Sequence, residues 1–135
     1  EPAMSRLGPS GMLFFAHTVL ETVLGAMKLR GRYEGQTAAG PEAKFVRHHG
    51  VCLLSLALLA ACTLLRREVD APTGGLVSAV LCFFHAAATA VHAHAFALGS
   101  AKSLSTMMMH LPFAVGFAFD ALRTRGARDG SARRK

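Results

Sequence analysis

From Gly74 to Ser100 the chain carries no Asp, Glu, Lys or Arg. A stretch of that length and character has few homes. A surface helix of a soluble bundle needs polar residues on its outer face at helical spacing. An apolar run of about 18 residues or more instead reads as a membrane span. Charges elsewhere gather in short clusters that separate further apolar runs. The overall hydrophobic content of 52% would not decide the class; its distribution does.

Four spans are predicted, at residues 11–27, 43–65, 76–98 and 103–122, after a polar lead at 1–10 and before a basic tail at 123–135. Lys28, Arg30 and Arg32 end the first span, and Tyr33 is placed to anchor at an interface. Gly31, Gly35, Gly40 and Pro41 punctuate the first loop. Arg66, Arg67, Glu68 and Asp70 form a second, charged loop, and Gly99, Ser100 and Lys102 a third. Ser103 or Ser105 is expected to cap the fourth helix, and Pro112 to kink it. The tail, rich in Arg, Gly and Ser, is expected to order only against a partner. Short loops imply an all-α, up-down four-helix transmembrane bundle with both termini on one side. Nine Lys or Arg fall on the side of the termini and six on the other, a weak preference for termini inside. Residue 1 is Glu and no cleavable leader is visible, so the chain reads as a mature product or a fragment.

The formal charge of +7 and the pI near 10.2 raise nucleic-acid binding. The basic residues sit at span ends and in the tail, which suits lipid headgroups or neighbouring subunits instead. Partners are therefore expected to be other membrane subunits and bound lipids, with no nucleic acid. Cys52, Cys62 and Cys82 all lie in apolar runs and read as small buried hydrophobes. Cys52 and Cys62 stand about 15 Å apart along one helix, too far to bridge.

Inside the spans, polar residues recur three and four apart. The third span aligns Ser78, Cys82, His85, Thr89, His92, Phe96 and Gly99 on one face. The second aligns His48, Cys52, Ser55 and Cys62; the first His17, Glu21 and Gly25; the fourth Thr106, His110, Phe113, Phe117 and Asp120. Such faces suit a bundle interior or a partner rather than lipid. Ionisable groups at membrane depth are costly when unpaired and mark function or a structural pair. Glu21 can pair with His17 one turn away, or with a histidine of the third span.

Candidate binding residues are accordingly His85, His92, His17, Glu21 and His110. A neutral imidazole can ligate a macrocycle metal, and alanines flank His85 and His92, leaving room for a flat ring such as chlorophyll. The competing account is hydrogen bonding between helices. His85 and His92 are about 10.5 Å apart on one face, which does not suit two ligands opposed across one haem. No His-Glu-x-x-His, nucleophile elbow, phosphate loop or dinucleotide fingerprint is present, so neither a metal centre nor an enzyme is expected. Met107, Met108 and Met109 spread around a helix and read as packing. The leading expectation is a small accessory subunit of a photosynthetic or respiratory membrane complex, in the thylakoid or else the mitochondrial inner membrane. The alternative is a small transporter or proton conductor using Glu21, His17 and the third-span histidines. A third is a membrane-embedded enzyme acting on lipid or quinone.

Overall fold

The computed structural model describes residues 8–33, 36–65 and 71–132, with side chains described for most of these. The polar lead up to residue 7, the Tyr33 side chain, the charged loop at 66–70 and the last three residues lie outside the described part. The protein is all-α, with four helices: α1 (Pro9–Leu29), α2 (Gly40–Leu65), α3 (Ala71–Ala97) and α4 (Ala101–Ala132). Between α1 and α2, two residues on each side form a small antiparallel ladder, Arg32 opposite Thr37 and Tyr33 opposite Gln36. The chain divides into two compact units, residues 1–67 and 68–135, each a helical hairpin.

Each helix is longer than its apolar run. The helices start two to five residues before the predicted spans, because Pro9, Pro41 and Pro72 stand in the first turn, where a missing N–H costs nothing. Downstream, α4 runs through Pro112 and on to Ala132, so its backbone is helical across most of the predicted tail. Three helices are long and apolar enough to cross a membrane: Pro9–Leu29, Gly40–Leu65 and Thr73–Ala97. The predicted fourth span is not among them. Ser103, Ser105, Thr106, His110, Pro112 and Asp120 dilute the apolar run of α4.

The surface supports immersion in lipid. Large apolar side chains point outward, among them Phe45, Phe83 and Phe119, each at least 70% exposed. The fully buried side chains include His17, Glu21, Ser78 and His85. In water this inversion would forgo about 2–3 kcal/mol for each exposed phenylalanine. In a bilayer those side chains meet acyl chains, while polar groups are best kept inside. Hydroxyls near the outer surface are satisfied by their own helix. Ser55 donates to the Val51 carbonyl at 2.9 Å and Thr63 to that of Leu59 at 2.9 Å. The chain is an all-helical integral membrane protein.

In the first hairpin, α1 buries Phe14, His17, Glu21 and Gly25, and α2 buries Gly50, Leu53, Ala57 and Ala60. The α1 face is the expected one. The α2 face is not: His48, Cys52, Ser55 and Cys62 are exposed. Cys52 and Cys62 are therefore outward-facing rather than buried, and Cys82 is half-buried. Backbone approach decides the orientation of α2. A Cβ on Gly50 would lie 2.6 Å from the Leu29 nitrogen and 2.8 Å from the Gly25 carbonyl oxygen. Across the same seam Lys28 Nζ donates to His49 Nδ1 at 3.0 Å.

In the second hairpin, α3 ends in a Schellman turn. Ser100 N–H bonds the Ala95 carbonyl at 3.0 Å, Gly99 N–H bonds that of Phe96 at 2.9 Å, and Gly99 has φ +97°. α4 begins at Ala101, which puts Ser100 at the N-cap position and Ser103 and Ser105 inside the helix: the Ser103 amide reaches the Ser100 carbonyl at 3.0 Å, and the Ser103 hydroxyl donates to the Ser100 hydroxyl at 3.0 Å. Three residues reverse the chain. A β-branched side chain cannot adopt this φ without strain, so Gly99→Val is expected to destabilise the hairpin by about 1–2 kcal/mol. Thermal unfolding in detergent checks it; an unchanged midpoint would refute the assigned turn.

Candidate functional site

The α3–α4 seam carries an imidazole cluster. A tight turn at Gly99 sets residues roughly equidistant from it against each other, which places His85 opposite His110. His85 is fully buried and His110 is 8% exposed. Their Nδ1 atoms lie 2.8 Å apart, so the N–H of one donates to the lone pair of the other. Phe113 stacks on His85 with ring centres 5.0 Å apart, and Phe117 does so at 6.0 Å. Phe84 meets both imidazoles edge-on. His92, half-buried, stacks on His110 with ring centres 6.2 Å apart and planes 11° from parallel. The series His92, His110, His85 thus runs inward along the seam from the side of the turn.

The series stops at an apolar block. Leu81 and Phe117 are both fully buried. On the far side of them, two turns along α3, the Ser78 hydroxyl donates to Asp120 Oδ2 at 2.6 Å. Thr124 donates to the Asp120 carbonyl at 2.7 Å and packs on Gly75, where an added Cβ would approach its hydroxyl to 2.8 Å. The seam therefore holds two polar pairs with aromatic and aliphatic packing between them.

The first hairpin carries its own pair. His17 and Glu21 are both fully buried on α1, one turn apart, with Nε2 4.0 Å from Oε1. This is the partner within α1 that the sequence offered for Glu21. His48 and His49 sit outward. His48 Nδ1 lies 2.8 Å from the Lys44 carbonyl oxygen, and His49 meets Lys28.

Of the five candidate residues, His85, His110 and His92 come together in one seam, and His17 with Glu21 form the pair on α1. The sequence did not single out the direct His85–His110 bond or the Ser78–Asp120 pair. Both sets of residues lie on the predicted faces; the signal for pairing them was the register set by Gly99.

Chemically, the His85–His110 bond is selective. With both rings neutral, one tautomer donates through Nδ1 and the other accepts. Adding a proton gives an imidazolium that donates to a neutral ring, a charge-assisted and stronger bond. A second added proton would set two N–H groups against each other at 2.8 Å and break the contact. Across the bonded states, the pair holds either no extra proton or a single one. No family model matches this chain, and comparison with curated proteins and with solved structures finds no match.

Proposed function

We propose that this integral membrane protein takes up and hands on protons within the bilayer, with His85 and His110 as the working groups. The observation that carries the reading is the 2.8 Å bond between two buried imidazoles on facing helices. Protonatable groups at membrane depth commonly serve as proton relays. His92 supplies the approach from the turn side. Leu81 and Phe117 interrupt the seam beyond the pair, which argues for an acceptor loaded from one side rather than an open channel. For α4 to lie in the bilayer, its polar groups need partners, and His110 and Asp120 have them on α3. The α3–α4 hairpin therefore enters lipid as a unit, with α4 as the fourth crossing.

Proton uptake by the reconstituted chain tests this. Wild-type protein in liposomes is expected to take up a single proton at the pair on acidification. Solid-state nitrogen NMR should show it shared between the Nδ1 atoms of His85 and His110. His110→Leu should lose that uptake, whereas His94→Gln, at an exposed position, should keep it. Identical titration of wild type and His110→Leu would refute the reading.

An accessory-subunit reading retains one observation. His92 Nδ1 is buried without a hydrogen-bond partner, its ring is half-exposed, and small residues surround it in sequence. A chlorophyll or other macrocycle in a bioenergetic complex would fall to His92 rather than to His85, which is fully buried with its Nδ1 bonded to His110. Purification in mild detergent with neither a co-purifying subunit nor visible-region absorbance would remove this second reading.

A further inference from the structure

The loop end of the first hairpin concentrates cations. Arg30 follows α1, Arg32 lies two residues further on, and Lys44 and Arg47 occupy the first turns of α2. All four are exposed. Among the described residues, none of the four makes an ion pair or a side-chain hydrogen bond. Gly31, between Arg30 and Arg32, turns the chain at φ +75°. Its N–H bonds the Lys28 carbonyl at 2.8 Å, and its carbonyl accepts from Ala38 at 2.7 Å. Arg47 reaches across from α2: its Nε lies 3.9 Å from where a Cβ on Gly31 would stand. One guanidinium is thus laid against the turn that carries two others.

Three guanidinium groups around one fixed turn repel each other unless an anion sits among them. Guanidinium forks match phosphate oxygens in pairs, and basic residues beside a span are drawn to anionic lipid. The surroundings choose between sources of phosphate. Phe45 is 75% exposed beside Lys44, and Met27 and Leu29 are exposed where α1 ends. A ligand here has cations at one end and an apolar surface alongside, which is the shape of a lipid rather than of a free ion.

We propose that Arg30, Arg32 and Arg47, with Lys44 at the edge, hold the phosphate headgroup of an anionic phospholipid at the membrane surface, its chains lying along Phe45, Met27 and Leu29. This rests on the membrane reading alone and is independent of the imidazole cluster.

The full-length chain in nanodiscs of phosphatidylcholine, with and without phosphatidylglycerol, provides the test. Bound lipid is counted after extraction into detergent, by native mass spectrometry. Wild type is expected to retain phosphatidylglycerol over phosphatidylcholine by about tenfold, the Arg30→Gln/Arg47→Gln double variant to lose most of that preference, and Arg123→Gln/Arg125→Gln to keep it. Circular dichroism of the variants checks that the helices remain. Inorganic phosphate and glycerol 3-phosphate, added to wild type during extraction, form the headgroup-only arm and should displace little lipid. Full displacement by either would show a free-anion site and overturn the proposal. Equal retention of the two lipids by wild type, or unchanged preference in the double variant, would overturn it too. So would phosphatidylglycerol displaced by an acidic protein that co-purifies with the chain.

Discussion

Gly50→Leu is expected to drive α1 and α2 apart. At this position the two helices touch through backbone. A Cβ would meet the Leu29 nitrogen at 2.6 Å, the Gly25 carbonyl oxygen at 2.8 Å and the Lys28 carbonyl carbon at 3.0 Å. None of these atoms is the end of a movable side chain, so the helices themselves must separate. The separation would also stretch the bond between Lys28 and His49 and loosen the packing of Gly25 on Leu54. Overpacking a well-filled core costs about 1–3 kcal/mol, and backbone contact puts this site at the upper end, about 3 kcal/mol. Small residues are what permit such close approach between membrane helices, where dispersion replaces the hydrophobic effect as the force between them. Unfolding of the variant in mixed micelles, followed by circular dichroism, measures the loss. Gly8→Ala is the control, because nothing stands within 4 Å of a Cβ there. If Gly50→Leu unfolded at the wild-type denaturant concentration, the assigned helix contact would be wrong.

That contact also explains where sequence reasoning failed. On α2, polarity pointed to the face of His48, Cys52, Ser55 and Cys62 as the interior. The buried face is instead that of Gly50, Leu53, Ala57 and Ala60, three of them small. Polarity misleads here because Ser55 closes on its own helix and free cysteine behaves as a small hydrophobe. Neither needs a neighbour. On α1, α3 and α4 the faces that carry the candidate imidazoles and carboxylates are inside, with His17 and Glu21, Ser78 and His85, and His110 and Phe117 buried, whereas His48 on α2 reaches the Lys44 carbonyl of its own helix and lies outside.

The α3 stripe was legible only in part. Ser78 and His85 are fully buried, His92 is half-buried, and Phe96 and Gly99 are exposed. A sequence stripe continues to the end of its helix, whereas packing stops where the partner helix turns away. Here the turn follows at once, so Phe96 has little of α4 beside it. The ends of the elements were least legible. Prolines that suggested loops instead opened helices, and the cap fell on Ser100 because Gly99 had already reversed the chain. In α4, His110 and Asp120 are among the polar residues that dilute the predicted fourth span, and α4 is not among the helices apolar enough to cross a membrane. The same two side chains are the ones that bind it to α3.

The His85–His110 pair makes a prediction in which the double replacement costs less than its two single substitutions summed. His110→Leu leaves His85 Nδ1 buried and without its partner from α4, and His85→Leu does the same to His110. A buried polar group that loses its hydrogen bond costs about 1–3 kcal/mol. The double replacement removes both polar atoms and restores apolar contact with Phe113 and Phe117, so its cost should fall below the sum of the two singles. In membranes the coupling is reduced, because an unfolded helix in lipid still finds polar partners; measured values average about 0.6 kcal/mol and reach about 1.7. This pair belongs near the top of that range, at about 1–2 kcal/mol, because its two nitrogens are 2.8 Å apart and both rings are buried. A double-mutant cycle on unfolding free energies in micelles gives the figure directly. Run at rising acidity, the cycle also separates structure from proton handling. As the pair takes up a single proton, the bond becomes charge-assisted and the coupling should grow; with a second, the two N–H groups oppose each other and it should collapse. Coupling near zero at every pH would reduce the two histidines to neighbours and remove the physical basis for proton uptake at this seam.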